Sequence, residues 1–122
     1  MHKHLALTLV VVYITLLTVF SLVNIADIPR LGSTFDDKIY HFIAYAILTF
    51  LLYYYFINIP IKRNIVLAAF TAIVYGIFME FLQYLLTNTR TADIYDVRAD
   101  VFGIIFGAII CIVYKKVKVK IN

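Results

Sequence analysis

From Leu5 to Asn24 the chain runs for 20 residues without a single charged side chain, and this stretch limits the fold more than any other feature. A helix needs about 20 largely apolar residues to cross the hydrocarbon of a bilayer. The pattern recurs three times. A second run extends from about Asp37 to Ile59, where Pro60 stops it. A short basic turn, Ile61-Lys62-Arg63-Asn64, leads into a third from Ile65 to Leu86. Between the first two, Pro29 and Gly32 break the segment from Asn24 to Asp36. The reading is an all-α integral membrane four-helix bundle in a single domain over residues 1–122, with spans near 5–24, 37–59, 65–86 and 94–115.

The fourth span carries the most information. Its cleanly apolar part, Val101 to Tyr114, has 14 residues and reaches only about 21 Å at 1.5 Å per residue, short of the ~30 Å of hydrocarbon. The helix must therefore start near Ile94 or Asp96, which puts Asp96, Arg98 and Asp100 within it or at its membrane edge. The composition agrees with lipid as the solvent. Of the 122 residues 64% are hydrophobic and 15% charged, more apolar surface than a water-soluble domain of this size hides. The net charge of +4 does not make the chain a nucleic-acid binder. Lys115, Lys116, Lys118 and Lys120 form a tail directly behind an apolar run, as a juxtamembrane anchor does, and no aromatic platform accompanies them. The start Met1-His2-Lys3-His4 resembles a signal n-region. The run behind it is too long for a signal core and lacks a small-x-small cleavage site, so it reads as an uncleaved first span. Cys111 is the one cysteine and reads as a small core residue.

Charge sets the expected orientation. Lys3, Lys62, Arg63, Lys115, Lys116, Lys118 and Lys120 fall on one side, with no acid among them. Arg30, Lys38, Arg90 and Arg98 fall on the other, with all seven acids: Asp27, Asp36, Asp37, Glu80, Asp93, Asp96 and Asp100. The positive-inside rule makes the first side, and both termini, cytoplasmic, in a multi-pass membrane protein.

Ionisable side chains then gather near the outer face. Asp37, His41 and Tyr45 follow one another at helical spacing with Lys38 beside them, and Glu80 and Gln83 share a face with Gly76. Asp96, Asp100, Gly103 and Gly107 form a stripe that is polar at its outer end and small below. Glu80 lies six residues before Leu86, about 9 Å below the helix end. A carboxylate there is costly in lipid and should turn into the bundle. Gly103 and Gly107, with Ala99, allow close approach of a neighbouring helix, the second or the third. Each piece also has a structural reading: Asp37 and Lys38 as cap and anchor, His41 as a satisfied core residue, Glu80 with Gln83 as helix glue, Arg90 and Arg98 as counter-ions for Asp96 and Asp100, and Tyr53-Tyr54-Tyr55 as an interfacial belt. Convergence of three helices on one depth favours a pocket.

These residues resemble the VanZ-like family. The match runs from Asp37-Lys38-x-x-His41-x-x-x-Tyr45 through Tyr75-Gly76 and Glu80-x-x-Gln83 to Arg90 and Asp96-x-x-x-Asp100-x-x-Gly103-x-x-x-Gly107, in order, over residues 36–107. Family members often carry Asn where this chain has Asp100. The resemblance implies a polytopic bacterial membrane protein, and the name-giving member is linked to low-level teicoplanin resistance.

The expected function is binding, and in the catalytic version modification, of a polar group at the outer leaflet, such as a lipid head group or a lipid-linked wall precursor. Glu80 is the candidate general base and His41 a second acid/base group. Asp96 and Asp100 either orient His41 or, with Glu80, offer oxygen ligands to a divalent cation. Lys38, Tyr45, Gln83 and Arg90 are the candidate substrate-binding residues, with Lys38 or Arg90 holding an anionic head group. No metal ligand or cofactor is assigned. The alternatives are a non-catalytic binding or shielding protein and, against the apolar inner half of every span, a proton-coupled transporter.

Overall fold

The computed structural model describes residues 2–22, 36–86 and 94–121. It contains four α-helices: α1 (His2–Leu22), α2 (Asp36–Ile57), α3 (Asn64–Leu86) and α4 (Ile94–Ile121). Each contains a stretch long and apolar enough to cross a membrane. The ends have local causes. At the end of α2 the Asn58 side chain donates to Tyr54 O (2.7 Å), and Pro60 cannot continue the helix. Arg63 then takes a left-handed backbone (φ 57°), and its carbonyl accepts the first bond of α3 from Leu67 N (3.0 Å). The fourth helix runs past the expected end at 115 to Ile121. Nothing between Lys115 and Ile121 breaks a helix, and lysines favour a helix C-terminus through the dipole.

Large apolar side chains cover the outside: Phe20, Phe70, Phe78, Phe81 and Phe102 are each more than half exposed. Water would not tolerate such a belt, whereas lipid matches it. Inside, α2 and α3 touch all three other helices, and α1 and α4 do not contact each other among the described residues. The most extensive contact joins α2 to α4, which lie side by side in parallel. Gly103 abuts Phe42 and Gly107 abuts Ala46, so a step of four residues on one helix matches a step of four on the other. A Cβ at Gly103 would sit 2.2 Å from the Phe42 carbonyl oxygen. The two backbones approach this closely because position 103 has no side chain. The neighbour that the glycine stripe accommodates is thus the second helix.

Core-facing stripes run down each inner helix. On α2 they comprise Tyr45, Leu48, Thr49, Leu52 and Tyr53; on α3 Ala68, Ala72, Gly76, Met79, Glu80 and Gln83; on α4 Asp100, Gly103, Ile104, Gly107 and Cys111. Cys111 is fully buried, as a small core residue should be. Two features differ from the sequence reading. Tyr53 is 4% exposed and belongs to the core, since its spacing of eight from Tyr45 keeps it on the same face. Thr49 is also buried, its hydroxyl donating to Tyr45 O at 2.8 Å, so the core below Tyr45 is not wholly apolar.

Candidate functional site

Three helices place polar side chains at one depth. His41 stands five residues into α2, Asp100 six into α4 and Glu80 six before the end of α3, all about 8–9 Å from their helix ends. Because α2 and α4 run in parallel, His41 meets Asp100 directly: His41 Nδ1 and Asp100 Oδ1 are 2.7 Å apart. Both side chains are sheltered, at 12% and 4% exposure. That contact fixes the ring, and a carboxylate on Nδ1 is the usual device for presenting Nε2 as the working nitrogen.

Tyr45, one turn further along α2, lays its ring parallel to the imidazole (centroids 6.3 Å apart, planes within 7°). Gly76 of α3 makes room for both groups. A Cβ there would lie 3.1 Å from Tyr45 Cε2 and 3.2 Å from Asp100 Oδ2. Glu80 is 8% and Gln83 2% exposed, so the carboxylate avoids lipid as its depth requires. Among the described residues, no buried side-chain nitrogen or oxygen is left without a hydrogen-bond partner. A groove of about 350 Å³ lined by Ile77, Glu80, Phe81, Tyr84 and Val97 runs along the α3–α4 seam.

The sequence-derived candidates divide accordingly. His41, Tyr45 and Asp100 come together in contact, and Glu80 and Gln83 are buried on the facing stripe of α3. Lys38 lies on the first turn of α2, half-buried. Arg90 and the side chains of Asp37 and Asp96 lie outside the described residues. Among the described residues no three His, Cys, Asp or Glu side chains are grouped to hold a metal ion.

The structure adds a second set of residues, of which the sequence reading named only Tyr75, as part of the family match and without a role. Tyr75 packs its ring against Tyr45 (centroids 6.1 Å) and shares a 2.7 Å hydrogen bond with Thr18 of α1. Tyr13 of α1 donates to Ala44 O at 2.6 Å. Contacts therefore pass from Thr18 through Tyr75, Tyr45 and His41 to Asp100, linking all four helices. The available signal was weak: Tyr13 and Thr18 are two of five hydroxyl-bearing side chains on the first span, beside Thr8, Thr15 and Ser21.

Residues 5–115 match the VanZ/LLP1 family. This chain belongs to that family. An uncharacterized protein of Schizosaccharomyces pombe is 31% identical over 109 residues, covering 86% of this chain and 63% of the yeast protein. The chain thus spans less than two thirds of that relative's length. No solved structure matches. The likeness reaches into a fungus, so the bacterial envelope implied by the VanZ name does not follow from family membership. A multi-pass membrane protein does follow, from the four spans.

Proposed function

We propose that this protein binds, and with the His41–Asp100 pair as its acid/base group modifies, the polar head of a membrane amphiphile in the leaflet at the N-terminal end of α2. One observation carries the reading: a histidine and an aspartate from different helices are hydrogen-bonded at 2.7 Å inside a molecule otherwise built for lipid. Intramembrane ionisable groups are expensive to hold and mark functional sites. Asp100 orients His41, while Glu80 serves as the second acid/base group and Gln83 as a hydrogen-bonding partner for the head group. Lys38 stands on the first turn of α2, and it and Arg90 are the cations proposed for a phosphate. In the finer version the leaflet is the outer one of a bacterial inner membrane, both termini are cytoplasmic, the amphiphile is a lipid-linked wall precursor and teicoplanin susceptibility changes as a result.

The test is expression in a bacterial host with teicoplanin susceptibility as readout, alongside binding of a polyprenyl-linked wall precursor to the purified protein in nanodiscs. Glu80→Gln and His41→Gln should abolish a catalytic phenotype while leaving precursor binding within about threefold, the size of half a typical hydrogen-bond contribution or so. Full phenotype in both variants would leave only non-catalytic binding. That second reading is favoured by one feature: His41, Tyr45, Glu80, Gln83 and Asp100, the described residues proposed for the site, include no serine or cysteine nucleophile, and Cys111 of the α4 stripe lies eleven residues beyond Asp100. Absence of both binding and phenotype in the unaltered chain would refute the reading.

A further inference from the structure

At the end of the bundle opposite the His41–Asp100 pair, basic side chains from two segments come to one level. Lys62 and Arg63 lie in the turn between α2 and α3, and Lys115, Lys116 and Lys118 lie on the last turns of α4; all of them are exposed. The sequence has no Asp or Glu between Lys38 and Met79 or after Asp100. Register aligns the two segments. Gly103 abuts Phe42 and Gly107 abuts Ala46, and the same offset carried along the parallel seam sets Lys115 level with Tyr54 and Lys118 level with Ile57, the last residue of α2. The turn that holds Lys62 and Arg63 therefore starts at the level of Lys118. Contacts join α2, α3 and α4 pairwise, so this turn forms one side of a triangle whose third corner is the end of α4. We propose that the two segments together form a site for a phosphate-bearing lipid headgroup with more than one negative charge, in the leaflet at this end of the helices.

Depth selects a lipid over a soluble anion. The 28 residues of α4 span about 42 Å, about 12 Å more than the ~30 Å of hydrocarbon. Tyr114, half-exposed, directly precedes the lysines, and Tyr54 stands level with them on α2, so aromatic rings mark the hydrocarbon edge here. The lysines of α4 thus stand at the depth of lipid phosphates. A headgroup held there by its own chains meets them at a higher local concentration than a solute reaches. Charge then selects the headgroup. Packed helices lie about 8–10 Å apart, a gap that long basic side chains from both segments bridge through one phosphate. Arg63 offers paired N–H donors to phosphate oxygens, and each lysine a point charge. The cations repel one another, and a phosphomonoester, close to two charges at neutral pH, offsets this better than a singly charged phosphodiester. The site shares no residue with the functional reading above and does not depend on it.

The chain has no tryptophan, so Tyr114→Trp introduces a single indole beside the lysines. In phosphatidylcholine nanodiscs, its quenching is measured with three lipids brominated near the head end of identical chains: phosphatidylcholine, phosphatidylglycerol and phosphatidic acid. Each basic side chain at a membrane surface is worth about fivefold in affinity for an anionic partner. Phosphatidic acid should therefore be preferred over phosphatidylglycerol by about fivefold, and phosphatidylglycerol over phosphatidylcholine. Lys62→Gln with Arg63→Gln, far in sequence from the indole, should lower the preference for phosphatidic acid by about tenfold or more. Lys115→Gln with Lys118→Gln should lower it as much. All these side chains are exposed, so the variants keep the fold, and the two leaflets of the nanodisc are alike, so an inverted chain gives the same reading. Equal quenching by phosphatidic acid and phosphatidylglycerol, or a preference that survives Lys62→Gln with Arg63→Gln, overturns the proposal. Relief of the quenching by millimolar inorganic pyrophosphate or by a short oligonucleotide also overturns it, and gives this face to a soluble polyanion.

Discussion

Substituting Gly103 by alanine tests the geometry from which the site is built. The new Cβ would lie 2.2 Å from the Phe42 carbonyl oxygen, 2.9 Å from its carbonyl carbon and 3.0 Å from its Cα. These are backbone atoms, and no rotamer change relieves them. Real Cβ atoms keep at least about 3.0 Å, so α2 and α4 must part by roughly 0.8 Å at this level. Asp100 lies one turn away on α4 and His41 is the neighbour of Phe42. The same displacement stretches the 2.7 Å contact to about 3.5 Å, outside useful hydrogen-bond range. Overpacking costs about 1–3 kcal/mol and the lost hydrogen bond about 1 kcal/mol more, against a helix-propensity gain of up to about 1 kcal/mol. The assay is unfolding in mixed micelles, with ¹⁵N resonances of His41 recorded after His2 and His4 are replaced by glutamine. Gly76→Ala is the control. Its Cβ would meet only side-chain atoms, Tyr45 Cε2 at 3.1 Å and Asp100 Oδ2 at 3.2 Å, which yield by a few tenths of an ångström, so stability should change by less than about 1 kcal/mol. If Gly103→Ala is as stable as the unaltered chain and the His41 resonances do not move, the close parallel seam is refuted.

Three further outcomes are expected. Asp100→Asn keeps an oxygen facing Nδ1 and should retain the fold, whereas Asp100→Leu leaves the imidazole without that partner and should lose about 1–3 kcal/mol in the same unfolding assay. Tyr75→Phe removes the bond to Thr18 and should cost about 0.6 kcal/mol, the average for such bonds in membrane bundles; a double-mutant cycle with Thr18→Val should then show coupling of that size. Replacing Lys115, Lys116 and Lys118 together with glutamine removes much of the basic bias at one end. Accessibility labelling of a C-terminal tag should then report a mixed orientation where the unaltered chain reports a cytoplasmic one.

Much of the fold could be read directly because lipid imposes a simple rule: a span is a long apolar run. The helix starts fell within three residues of expectation. The long C-terminal extension of α4 was harder to read, because lysine ends a hydrophobic run without ending a helix. Spacing correctly grouped Tyr45 with His41, and Glu80 with Gln83, because each helix carries its own period. Spacing could not say which of Asp96 and Asp100 meets His41, since that depends on the register between helices that are not neighbours in sequence. Glycine supplied the hint, but only the match of Phe42 to Gly103 and Ala46 to Gly107 fixes it. The part played by Tyr13 and Thr18 was invisible for a related reason: a hydroxyl on a lipid-spanning helix bonds its own backbone as readily as a neighbour. Thr8 and Thr15 on the same helix do so, to His4 O and Val11 O.

The parallel seam also dictates an order of events during synthesis. His41 and Asp100 are 59 residues apart, and two further membrane crossings must be made before the second of them emerges from the ribosome. The first three helices can settle as successive antiparallel hairpins, leaving His41 waiting in the bilayer for a partner that arrives last. Insertion of the final helix is then the step that completes the polar cluster, and a nascent chain stalled before it would hold every element of the site except the one that orients its histidine.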